Sequence, residues 1–93
     1  MSDYFIPSFL FTQLGYYIRN NYFLEKALII ITNTLEEATQ TNLYTTDQLY
    51  MFIKQRTRII NIMKYNDTEI RKYSLILHNE YLKYNHEHGL LIR

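Results

Sequence analysis

The most regular pattern in the chain is a stripe of apolar side chains. Leu24, Leu28, Ile31, Leu35 and Ala38 recur at alternating spacings of four and three residues. That places them on one face of a helix, so the spacing predicts a helix from about Phe23 to Gln40. Phe23, Ala27 and Ile30 widen the stripe. The run from Ala27 to Ile31 has strand propensity. The stripe nevertheless continues into Leu35 and through Glu36-Glu37-Ala38, which favours a helix.

Three further helices are expected. One runs from about Ser8 to Asn20. Pro7 precedes it, Ser8 suits an N-cap, and Asn20-Asn21 suits an end because Asn tolerates the left-handed conformation. Another runs from about Thr46 to Lys64. There Thr45 and Gln48 form a capping box, and Tyr44 with Leu49 a hydrophobic staple. Its buried face is Leu49, Phe52, Ile53, Ile59, Ile60 and Met63. The last runs from about Asp67 to Asn85, with Asn66 and Glu69 as a second capping box and Tyr65 with Ile70 as its staple. Its stripe is Ile70, Tyr73, Leu77, Tyr81 and Tyr84, and an apolar tail, Leu90-Leu91-Ile92, follows Gly89. Short connections make consecutive helices antiparallel neighbours. The expected fold is all-α: one domain over residues 1–93, a small bundle of three to four helices, mostly antiparallel and dimeric.

Composition sharpens this picture. Only two Gly and one Pro occur, which disfavours a turn-rich β fold. Ten Tyr and no Trp place much aromatic surface at edges, because the phenol has an apolar body and a polar tip. Cysteine is absent, which excludes disulfides and thiolate metal sites and is compatible with an intracellular, cytoplasmic setting. The formal charge of +1 gives no global pull toward nucleic acid or membrane. The charge is uneven, negative over residues 1–47 and positive over 48–93, so the halves are expected to attract. The apolar stretch from Tyr4 to Ile18 lacks a basic leader and is too short to span a bilayer; it reads as core.

Leu14, Tyr17-Ile18, Phe23, Ala27 and Ile30 follow an order of apolar, aromatic and small residues. This order resembles the LisH motif, a short two-helix segment. Tyr22 stands where that family usually has Gly. The resemblance covers residues 14–30 and implies homodimerisation through Leu14, Tyr17, Ile18, Phe23, Ala27 and Ile30. The residues point the same way, because the second expected helix is apolar on more than one face and a chain of 93 residues struggles to cover it.

Other constellations carry weaker chemistry. Arg71 and His78, with Asn79 beside the His, resemble the Arg-x(4–6)-His element of HEPN-type ribonucleases; that resemblance implies an Arg holding phosphate and a His acting as acid or base. Lys54, Arg56, Arg58 and Lys64 form a basic run with no acid between Asp47 and Asp67. Lys54, Arg58 and Arg71 are the candidate anion-binding residues, and the run reads either as a nucleic-acid face or as a solvated face paired with Glu36-Glu37. His86-Glu87-His88 lacks a third converging ligand and reads as a solvated helix end, so neither metal nor cofactor is expected. The preferred function is a non-catalytic protein–protein interaction module. It serves as adaptor, scaffold or inhibitor, and its partners are a second copy and another protein. A small ribonuclease and a nucleic-acid binder are the alternatives.

Overall fold

The computed structural model describes residues 8–88, with side chains as far as Asn85. Two α-helices account for nearly all of it: α1, Ser8–Gln40, and α2, Thr46–His88. At 1.5 Å per residue they are roughly 50 and 64 Å long. Residues 41–45 reverse the chain, and the helices lie side by side in a rod of 70 × 24 × 14 Å. Their direction is antiparallel, because Tyr17 stacks on Tyr73, Asn21 meets Asn66 and Thr32 meets Arg56.

The stripe at Leu24–Ala38 belongs to a longer one. Leu10, Leu14, Tyr17 and Asn21 extend it backward with the same alternation of four and three residues, and every member is buried or half-buried. On α2 the matching set is Leu49, Phe52, Arg56, Ile59, Met63, Asn66, Ile70, Tyr73 and Leu77, again at alternating spacings of three and four. An average period of 3.5 falls short of the 3.6 residues of a straight helix, so the seams stay in contact only if the helices wind about each other left-handedly. The hairpin is therefore a two-stranded antiparallel coiled coil, with the seam residues at heptad positions a and d.

The all-α class stands, but the chain forms two helices where four were expected. Both expected breaks fail for one reason. As local caps Asn20, Asn21 and Asn66 would end the helices, whereas their side chains bond across the seam. Asn66 Nδ2 donates to Asn20 Oδ1 at 2.7 Å and to Asn21 Oδ1 at 2.9 Å, and Asn21 Nδ2 donates to Asp67 Oδ1 at 2.9 Å and to the Met63 carbonyl at 3.4 Å. With a partner on the opposite helix, each Asn gives up the local hydrogen bond that would end its own helix, and Asn66 is 3% exposed in mid-helix.

The start of α2 has the expected capping box, while Tyr44 meets Phe52 rather than the expected Leu49. The Thr45 amide donates to Gln48 Oε1 at 2.9 Å, and the Gln48 amide donates to Thr45 Oγ1 at 3.2 Å, a reciprocal capping box. Tyr44 covers the turn by meeting the Phe52 ring edge-on at 5.4 Å. At the opposite end, the apolar segment expected in the core is split: Leu10 is buried, but Phe9, Phe11 and Ile18 are exposed. Residues 4–7 and the Leu90–Ile92 tail lie outside the described residues. On α2, Ile53 and Tyr81, expected on the buried face, are exposed as well.

Candidate interaction surface

A two-helix rod has one seam to hide apolar side chains, and this chain carries more than one seam's worth. Among the described residues only Leu10 and Ala38 are buried apolar side chains. The chain exposes 7618 Å². A compact protein of 11.4 kDa exposes about 5,800 Å².

The exposed apolar residues of α1 are ordered. Phe9, Tyr16, Phe23 and Ile30 recur at a spacing of seven and all occupy heptad position c. They are 60, 55, 65 and 65% exposed. Position g fills the gaps with Gln13, Asn20, Ala27 and Thr34, so the whole c/g stripe from Phe9 to Thr34 carries no charged side chain. On α2 the stripe is flanked by Tyr65, whose ring lies 6.2 Å from that of Tyr17, which in turn meets Tyr16 at 5.3 Å.

The other flank of α1 also exposes apolar groups, namely Phe11, Ile18, Tyr22 and Ile29. It is interrupted by charge. Glu25 shares a groove with Ile18, Tyr22 and Asp67, and Lys26 Nζ sits 4.5 Å above the Tyr22 ring. Glu36 continues this flank toward the turn, beside Thr32 and Arg56.

The six residues expected at a self-contact divide three ways. Leu14 and Tyr17 sit half-buried in the intrachain seam, where Tyr17 stacks on Tyr73 at 6.1 Å. The Tyr17 phenol is pushed up to about 12, first by its hydrogen bond to Tyr65 and then by loss of water. Phe23, Ala27 and Ile30 belong to the c/g stripe, and Ile18 to the charged flank. Sequence reasoning missed Phe9 and Tyr16. Their signal was the seven-residue repeat with Phe23 and Ile30, which the expected helix break at Asn20-Asn21 concealed.

The basic residues are sorted by face. Lys54, Arg58, Lys64, Arg71 and Lys72 occupy heptad positions b, c and f, the side of α2 turned away from α1. No acid occupies that side between Tyr50 and Asn79, because Asp67 and Glu69 stand at the flanking positions e and g. Both ion pairs among the described side chains lie within α2, Lys72–Glu69 and Lys83–Glu80. None joins the oppositely charged halves. Arg56 instead faces α1 and donates to Thr32 Oγ1 at 3.3 Å. Arg71 and His78 are exposed, one heptad apart, and neither makes a hydrogen bond or ion pair with a described side chain. No helix among the described residues is long and apolar enough to cross a membrane.

No protein-family model matches the chain, and no curated protein and no solved structure is significantly similar to it.

Proposed function

We propose that this protein is a non-catalytic helical interaction module, a hairpin that associates with a second copy of itself and through the assembly with another protein. The observation that supports this reading is the ordered, uncharged apolar stripe of α1 lying outside the seam. Leaving four large apolar side chains in water at regular spacing costs solubility and returns nothing to a lone chain, while burial against another helix recovers about 25 cal/mol per Å². Two differently tagged copies, co-expressed, test it. The expected result is that each tag retrieves the other, at a yield unaffected by nuclease. Recovery of each tagged copy alone overturns the proposal.

A second reading rests on the acid-free outer side of α2. Lys54, Arg58, Lys64 and Arg71 present four cations with no carboxylate within 4.0 Å among the described residues. With Thr57 and Asn61 as donors between them, they suit a nucleic-acid backbone. Binding to a short RNA duplex measured across salt tests it. A slope corresponding to about three or four released counterions is expected, and a flat profile removes the reading. A ribonuclease gains nothing from the fold, because Arg71 and His78 stand open to solvent on the outer side of α2.

A further inference from the structure

The geometry points to one arrangement of two copies: the c/g stripes of two α1 helices pack against each other antiparallel about a two-fold axis beside Asn20, between Tyr16 and Phe23, making a four-helix bundle of two hairpins. This rests on the self-association proposed above and adds its face and direction.

Two observations select the face. First, Phe9, Tyr16, Phe23 and Ile30 repeat at seven residues, the same period as the seam. In a helix already wound to a 3.5-residue period such a stripe stays straight along the hairpin, so a neighbouring helix meets all four side chains. Second, a two-fold interface joins a patch to itself, so any charge on it meets its own kind near the axis. The c/g stripe of α1 has none from Phe9 to Thr34, whereas on the opposite flank of α1 Glu25 and Glu36 interrupt the apolar residues.

Direction follows from the spacing of the four residues. When the helices run antiparallel, Phe9 faces Ile30 of the second copy and Tyr16 faces its Phe23, so every member of the stripe is covered and a large ring always meets a different partner. Asn20 lies at the centre. Its Oδ1 is already held by Asn66, so the polar layer inside each hairpin fixes the midpoint of the outer contact. The basic outer side of α2 remains on the surface.

The absence of native cysteine makes a direct test clean. Tyr16→Cys and Phe23→Cys chains are co-expressed and treated with a bis-maleimide shorter than the roughly 10 Å axial offset of seven residues. The mixture is expected to cross-link, and each variant alone is not. Cross-linking of each single variant alone means a parallel contact and overturns the arrangement. No cross-link from a mixture of the two variants that still self-associates places the contact elsewhere and also overturns it. A companion pair keeps stability separate from contact. Ile29→Asp and Ile30→Asp are adjacent exposed positions on one helix, and circular dichroism checks that both stay helical. Ile30→Asp is expected to weaken association by roughly a hundredfold and Ile29→Asp by less than about threefold. The reverse order favours the Ile18–Ile29 flank and overturns the c/g face while leaving self-association intact. A monomeric wild type removes both.

Discussion

The two stripes of α1 are built the wrong way round for a lone chain. The inner one, from Leu10 to Ala38, is covered by α2, yet carries Asn21 at its middle and faces Asn66 and Arg56. The outer one, Phe9, Tyr16, Phe23 and Ile30, carries larger apolar groups yet lies open. The contrast separates two jobs. A buried amide layer adds little net stability but penalises every register that leaves its amides unpaired. Here it aligns Asn20 and Asn21 with Asn66 and so sets which residues of α2 flank the outer stripe. The outer stripe then supplies apolar area that the hairpin itself never uses.

The largest effects should come from exchanging one stripe for the other. Leu28→Ala in the seam should cost about 2–4 kcal/mol in chemical denaturation. In an isolated hairpin Phe23→Ala would cost almost nothing, because the ring is 65% exposed. The proposed bundle makes the two losses similar, and a Phe23→Ala change below about 0.5 kcal/mol would break the comparison.

Next in size is Asn66→Ala, which leaves the Asn20 and Asn21 carbonyl oxygens without their donor. A loss of about 1–3 kcal/mol is expected in the same measurement. Replacing Asn20, Asn21 and Asn66 together by Leu should recover that loss while allowing mixed registers, visible as broadened or doubled NMR amide peaks. A single sharp set would deny the layer its aligning role.

Thr45→Ala removes one half of the capping box and should cost about 1 kcal/mol. It touches neither stripe, so self-association should be unchanged.

The smallest effect is in alkali. Tyr17 holds its proton to about 12, above the ordinary 10.0, so the folded chain binds that proton more tightly than the unfolded one. Its contribution is complete below pH 10 and is lost as the pH rises toward 12. Ultraviolet titration should show a late tyrosine ionisation, and Tyr17→Phe should abolish the late step. Persistence of the late step in the variant would assign it to another ring.

Much of the fold was legible because it is written locally. The Leu24–Ala38 stripe, the Thr45–Gln48 capping box and the end of α1 at Gln40 each depend on residues within a few turns. The helix breaks were illegible because an Asn offers the same amide to its own backbone and to a distant helix. Only the register decides between them, and it brought Asn20 and Asn66 together across 46 residues. The interaction surface was half-legible. Phe23, Ala27 and Ile30 stood out as surplus apolar positions, but spacing alone does not say which face a neighbouring helix covers. Leu14 and Tyr17 therefore looked available until α2 was placed against them.

Sedimentation equilibrium of the unmodified chain from low to high micromolar concentration tests the central claim most directly. The account predicts a species of twice 11.4 kDa that dissociates, if at all, only at the dilute end. A mass of 11.4 kDa throughout, with helicity retained, would show that one hairpin tolerates its open stripe and would contradict the account.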